Sequence, residues 1–503
     1  MNNERRPTGL TGRVAESPNI VWFEEVLQPQ FEFELGRLLP AYVLAEKALL
    51  VEYHHLGVLT ADECRAVAAA LNEVSPDVLA ADPVANMSDI CFAVERFVTE
   101  QLSAPVPAWH LDRSRNDLQA CAQLLFGRDR TLDAVADLLA LVRTVHRLAG
   151  RHLTDPMPGY THLQAAQVIT PAFFITALSA YVLRAARRLL AAYQAMNLSP
   201  LGSGAMAGQE LAWDRRRMAA LLGFAGPEPH ALAGVAARTW TLEISGELST
   251  FGVVLSRFVT DLMTWSGNEY RFVELPDEFA GISSAMPQKK NYPILERIRG
   301  RTAHLTAAYL DISLTQRNTP YSNTVEVSKE GGISRLERMF AAFSSIMRLL
   351  TLVLAHLRFD TARMRELCER EFLGGFSLAN LIVRSTSVPW RVAQVVAGEY
   401  ITAMRRDGRS PREPDVVVLA AIAKGHGYDL TLAEPAVAGV FNPEANLLHK
   451  ISSGSANPAA VRELMTEEAE DLAVLESDWR RHRTELDAIG VRIDQQLEPS
   501  REA

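Results

Sequence analysis

Long segments with helical spacing constrain this chain more than any other feature it carries. Ala165 to Met196 is the clearest, with Phe174, Leu178, Tyr181 and Val182 recurring at intervals that share one face. Arg184, Arg187 and Arg188 gather toward its far end, where positive charge suits the carbonyl end of a helix dipole. Comparable segments run from Asn116 to Leu153, Ala236 to Tyr270, Tyr292 to Gln316 and Ser334 to Leu357. The few Gly and Pro inside them do not interrupt the apolar period. Helices this long and apolar bury themselves in a bundle, often one shared between subunits. Period-2 alternation and Asn-Gly or Asp-Gly turns are scarce. The expected fold class is all-α.

Punctuation divides the chain. Pro105-Val106-Pro107 precedes the first long segment, and a softer break falls around Asp360 to Gly375. The division this implies is an N-terminal helical domain over 1–112, a central long-helix domain over 113–365, and a smaller helical domain over 366–503, with Arg405 to Asp415 as a polar loop. A length of 503 residues suits about three domains. The 48% hydrophobic content supplies a core without disulfides or metals. The first dozen residues and the last handful read as disordered.

Composition excludes several functions. The net charge is −9 and no Lys/Arg run is dense, which argues against a nucleic-acid partner. Cys64, Cys91, Cys121 and Cys368 form no CxxC pair and read as reduced, packed thiols, so the expected location is cytoplasmic. Met1 to Arg6 lacks a signal-peptide pattern. The apolar stretch Ile346 to Leu357 is interrupted by Arg348 and is shorter than the roughly 18 residues of a membrane helix, so no membrane partner is expected. His54, His55 and His162 lack metal-binding spacing, and no metal or other cofactor is expected.

Four polar segments break the apolar pattern: His110 to Asp117, Pro158 to Gln164, Pro200 to Ala205, and Gly281 to Asn291. Most gather hydroxyls, amides or cations close to where a long helix starts, where free N–H groups and the dipole hold anions. Ser114, Asn116 and Thr161 are also ordinary capping residues, and taken singly each segment is well explained as a cap or turn. Four together, three of them with His, Arg, Lys or Asn beside the cap, point to a composite site for a substrate bearing carboxylates.

The fourth segment, Gly-x-Ser-Ser-x-Met-Pro-x-Lys-x-Asn from Gly281 to Asn291, resembles the signature loop of the fumarase–aspartase superfamily. Arg113-Ser-Arg-Asn-Asp117, Pro158-Gly-Tyr-Thr-His-Leu-Gln164, Pro200 to Gly208, Glu296, Arg299-Gly300 and Pro389-Trp-Arg391 are similar to the argininosuccinate lyase branch in order and spacing. The resemblance covers most of the chain. It implies a three-domain helical fold whose central helices form a 20-helix core in a homotetramer, with each site shared by three subunits. It also implies a carbon–nitrogen lyase that acts on a small dicarboxylate, an N-substituted aspartate, and releases fumarate and an amine without a cofactor.

By the same resemblance, Ser283 is the base on a mobile loop and Ser284 its structural neighbour. Lys289 and Asn291 support the Ser283 alkoxide, and Lys289 is the main electrostatic stabiliser. His162, oriented by Glu296, sits near the leaving side. Arg113, Ser114, Asn116, Thr161, Gln164, Tyr321, Glu326 and Lys329 complete the expected substrate-binding set. The chemical difficulty is a carbanion beside a carboxylate that is already negative, and preorganised donors and cations answer it.

Departures from the branch concentrate where it meets the amine half of its substrate. His-Thr-Gly-Arg becomes His110-Leu111-Asp112-Arg113, Gly-Gly-Arg-Phe becomes Thr11-Gly12-Arg13-Val14, and Asp-x-x-Gly-Ser becomes Tyr42 to Glu46. Asp-Ile-His becomes Asp89-Ile90-Cys91, Glu326 replaces a glutamine, and Gln394 stands where His is frequent. The expected substrate is therefore another N-succinyl amino acid or an aminopolycarboxylate such as ethylenediamine disuccinate. Asp112 and Glu326 are placed to meet a cationic amine. Argininosuccinate itself is the alternative within the class. A non-catalytic crystallin-type relative and a plain helical scaffold are the alternatives outside it.

Overall fold

A computed structural model describes Val14 and residues 16–498 of the chain. The expected disordered tails and the altered Thr11-Gly12-Arg13 lie outside these residues. Five long helices dominate: α1 (Arg115–Gly150), α2 (Pro171–Ala195), α3 (Thr239–Trp265), α4 (Pro293–Gln316) and α5 (Ser334–His356). Each packs on the next and α5 returns to α1, so the five close into a bundle. Glycine allows close approach at two crossings. A Cβ added at Gly127 of α1 would lie 2.4 Å from the Trp240 ring of α3, and one at Gly252 of α3 would lie 3.0 Å from Leu305 of α4.

The helix expected from Ala165 begins later, at Pro171. Proline at the first helical position has no N–H to lose there, but it disfavours a helical conformation in the residue before it. Thr170 instead takes an extended conformation and caps α2, accepting from the Phe173 amide at 3.1 Å. The residues ahead of it form an antiparallel hairpin, β1 (Met157–Thr161) against β2 (Gln164–Ile169).

The segment Glu326–Ile333 is π-helical and runs into α5 through a kink at Gly332. Together, Glu326–His356 have the length and mean hydropathy, 1.6, of a membrane span. Phe340, Phe343, Met347 and Leu350 are buried in the core that α1 and α4 share.

The apolar core has a main body, a lobe, and a small third cluster of Val168, Cys368, Leu373, Leu447 and Ala456 beside the β1–β2 hairpin. The main body takes in helices from the first hundred residues and the five-helix bundle. A separate cluster, from Phe372 to Phe441, holds together Gly375–Ser385, Trp390–Arg406, Val416–Gly425 and Glu434–Phe441. The chain then leaves that lobe: α6 (Pro458–Asp487) packs on α1 and α2, and Ile489–Leu497 packs on Leu39–His55.

Candidate active site

Ser114 is the N-cap of α1, its hydroxyl accepting from the Asn116 amide at 3.2 Å. The Asn116 side chain reaches across to donate to the Ala205 carbonyl at 3.0 Å. Buried Asp117 ties the same two segments, accepting from the amides of Gly202 at 2.9 Å and Gly204 at 3.0 Å. Both glycines have positive φ, and a Cβ at Gly204 would lie 2.4 Å from the Gly208 carbonyl oxygen. The first and third polar segments are thus one unit at the start of α1.

Arg113, expected to bind substrate, is already engaged within the chain. Its guanidinium grips Glu46 with both carboxylate oxygens engaged, and both side chains are buried. Burial works against the Glu46 charge, but Arg113 outweighs it and holds the carboxyl below its usual range. His110, beside Arg113, is pushed down to about 3 by burial first and that cation second, and so stays neutral.

Lys329 is likewise engaged, donating to the buried carboxylate of Glu34. Burial dominates there and Lys329 offsets only part of it, so Glu34 lies above the ordinary carboxylate range. Tyr42, Cys91 and Asp89 lie within electrostatic reach of the same carboxylate. The altered positions Tyr42, Glu46 and Cys91 therefore meet in one buried cluster beside Arg113. Arg238 adds a buried cation nearby that donates to Gln123 at 2.9 Å, while Gln123 donates to the Ser328 carbonyl at 2.8 Å. Burial brings Arg238 down to about 10.

Asp112, expected to face a cationic amine, is instead a clasp. Its carboxylate accepts from the Leu211 amide at 2.7 Å, the Trp213 indole at 2.9 Å and the Glu210 amide at 3.0 Å. Burial raises its pKa, but these donors outweigh it and hold the carboxyl low. Glu326 remains exposed and makes no ion pair or hydrogen bond among the described residues. Tyr321 is 66% exposed.

Thr161, His162 and Gln164 sit at the tip of the β1–β2 hairpin, all exposed. Thr161 caps no helix, contrary to the capping reading. His162 and Leu163 turn the hairpin with φ of 53° and 61°, a left-handed pair of the kind usually given to Asn-Gly. Among the described residues, nine non-glycine positions have positive φ, and His110, Asp112, His162 and Leu163 are four of them. Such strain concentrates at functional sites.

The signature segment is a second hairpin, β3 (Gly281–Ile282) against β4 (Lys290–Asn291), ahead of α4. Its loop is exposed. The Ser283 hydroxyl accepts from the Met286 amide at 3.0 Å, a donor that favours an oxygen anion. Lys290 anchors the base of the loop, donating to the Leu275 carbonyl at 2.9 Å and pairing with Asp277 at 2.8 Å. Lys289 is exposed and has no ion pair or side-chain hydrogen bond among the described residues. Asn291 pairs with Gly281 across the ladder, and Glu296 stands exposed on the first turn of α4.

Within one chain, then, the expected residues fall into three groups, with exposed Tyr321 and Glu326 outside them: Arg113, Ser114, Asn116 and Lys329; Thr161, His162 and Gln164; Ser283, Lys289, Asn291 and Glu296. Among the described residues, no hydrogen bond or ion pair joins the three groups, and none links His162 to Glu296. Sequence reasoning missed Glu34 and Asp117. Glu34 had a signal: Phe31, Glu34 and Leu38 share one helical face, so an acid interrupts an apolar stripe.

A family model described as Lyase matches residues 27–305. The chain is 32% identical over 400 residues to an argininosuccinate lyase of Rhodococcoides fascians, covering 79% of this chain and 78% of that one. It is 32% identical over 431 residues to the argininosuccinate lyase of Thermus thermophilus, covering 84% and 90%. Among solved structures it is similar to an EDDS lyase variant with bound fumarate, at TM-score 0.82 and 25% identity, covering 95% of this chain and 96% of that one.

Proposed function

The chain belongs to the lyase family, in the argininosuccinate lyase branch of the fumarase/aspartase superfamily, and we propose that it releases fumarate from an N-succinyl amine other than argininosuccinate. It is a carbon–nitrogen lyase. The observation that carries the finer reading is the contrast between two parts of the molecule. The signature loop keeps Ser283, Lys289 and Asn291, while Tyr42, Glu46 and Cys91, all changed from the branch, share one buried cluster with Arg113.

In the proposed reaction, Ser283 takes the proton β to the departing nitrogen. The Met286 amide already donates to its oxygen, which lowers the cost of the alkoxide. The electron pair left on carbon spreads into the neighbouring carboxylate, held as an aci-carboxylate by Lys289, Asn291, Ser114, Asn116 and Thr161. That pair then forms the fumarate double bond as the C–N bond breaks, with the bonding electrons leaving on nitrogen. His162, oriented by Glu296, serves the leaving side. Glu326, exposed and unpaired among the described residues, is available to a cationic amine. Arg113 and Lys329 act through Glu46 and Glu34, shaping the amine pocket.

A homotetramer with shared sites completes this reading. Its support is that the three groups share no hydrogen bond within one chain, while Leu163 at 80%, Ile282 at 94% and Tyr321 at 66% exposure await cover.

The test is fumarate absorbance growth with argininosuccinate, ethylenediamine disuccinate, adenylosuccinate and aspartate, with Ser283→Ala as control. Release from a succinyl amine other than argininosuccinate, lost in the variant, is the expected result. Rapid release from argininosuccinate would overturn the substrate assignment in favour of the second reading, which the 32% identical relatives favour. Activity retained by Ser283→Ala would overturn the assigned base.

A further inference from the structure

Behind the β1–β2 hairpin, where it meets the small lobe, lies a cleft of about 940 Å³. Its size and its place between two core bodies are those of a small-molecule site. Its lining includes Arg384, His449 and Lys450 but no Asp or Glu. In a chain with 60 acidic and 51 basic residues, a lining whose charged side chains are Arg384 and Lys450, with no acid beside them, is a departure from the average surface.

The cations are unpaired and one is held in place. Neither Arg384 nor Lys450 forms an ion pair among the described residues. The Lys450 ammonium donates to the Asn446 side-chain oxygen at 2.6 Å and to its carbonyl at 3.1 Å. Asn446, itself 2% exposed, is fixed in turn: its amide donates to the Ser377 hydroxyl at 2.9 Å and the Val440 carbonyl at 3.0 Å. Two of the three ammonium hydrogens are thereby used, and the third is left for a ligand. Burial brings Lys450 down to about 8, a desolvation that a bound anion would offset. Apolar side chains complete the lining, with Ile169 and Phe173 from the main body, Phe376 from the lobe, and Ile451 from the segment after it. Phe376 at 58% and Ile451 at 91% exposure leave apolar surface in water that a ligand would cover.

We propose that this cleft binds an amphipathic organic anion, one carboxylate, sulfonate or phosphate group on an apolar or aromatic body. The head group meets Lys450 and Arg384, and the body lies between the phenylalanines. None of the residues assigned to the lyase reaction is in the lining, although Gln167 and Ile169 belong to the strand that leads from His162.

The test is fluorescence titration of the full-length protein with anilinonaphthalene sulfonate, an aromatic anion. The uncharged N-phenylnaphthylamine supplies the same apolar body without the charge. The sulfonate is expected to occupy one site per chain and to bind at least about tenfold more tightly than the neutral dye. Arg384→Gln and Lys450→Met are each expected to weaken the sulfonate by about tenfold, with the neutral dye and fumarate release unchanged. Arg384 is exposed, so its variant reports even where Lys450→Met disturbs the Asn446 network. Equal binding of both dyes, or sulfonate binding unmoved by Arg384→Gln, would overturn the proposal.

Discussion

Arg113 and Glu46 keep only 6% and 2% of their side chains exposed, so each depends on the other to justify a charge in the interior. Glu46→Ala strands the guanidinium, and a loss of about 3–5 kcal/mol in urea unfolding is expected. Joining it to Arg113→Met is expected to recover most of that loss, because a buried ion pair gains little over an apolar pair of similar volume. Asp117 gives a prediction with a pH signature. Burial lifts its carboxyl to about 6, with the Gly204 and Gly202 amides pulling the other way. A carboxyl raised in the fold contributes most to stability below its unfolded value near ~3.9 and loses that contribution as pH rises through about 6. Asp117→Asn, which cannot ionise, is therefore expected to cost about 2 kcal/mol more at about pH 4.5 than at about pH 7. Neither pairing was legible in the sequence. Arg113 and Glu46 are 67 positions apart, and Lys329 and Glu34 are 295 apart. Residue types announced a site there, but which charge would neutralise which follows only from the folded chain.

At the scale of elements the sequence was far more readable. Ser334–His356 and Pro293–Gln316 match their expected spans to within a residue, because apolar spacing and the tyrosine–proline start are local signals. The β1–β2 hairpin was not legible, since its turn is His162-Leu163 where a sequence reader looks for Asn-Gly. Its second strand is also built of helical-looking Gln and Ala. Capping supports a simple prediction: Ser114→Ala removes the acceptor for the Asn116 amide and is expected to cost about 1 kcal/mol in thermal unfolding. Gly127→Ala is a sharper test. On propensity alone alanine stabilises a helix interior by up to about 1 kcal/mol. Here its Cβ would meet the rigid Trp240 ring at 2.4 Å, so α1 and α3 must separate, and a net loss of about 1–3 kcal/mol is expected. A gain in melting temperature would contradict the close crossing.

At the scale of the whole molecule, the chain leaves large apolar side chains in solvent. Leu163, Ile282 and Tyr321 carry apolar side chains into solvent beside the very groups that chemistry would bring together, and Val253, Leu310 and Leu314 do so on α3 and α4. Light scattering is expected to return about four times the 55.5 kDa of one chain. Mixing His162→Ala with Ser283→Ala chains, unfolded and refolded together, is expected to restore part of the activity that each lacks alone. No recovery would place both residues of a site in one chain. A different consequence follows from the path of the last helices. The polypeptide departs the main body after Leu367, builds the lobe, and comes back through α6, so the lobe is a detour rather than a tail. A protease that nicks the exposed Arg405 to Asp415 loop would produce two pieces with no covalent link. The downstream piece still ends in α6, clamped on α1 and α2, and in Ile489–Leu497 against Leu39–His55. Nicked enzyme should accordingly travel as one particle on a sizing column and come apart only in denaturant: a molecule cut in two that behaves as though it were whole.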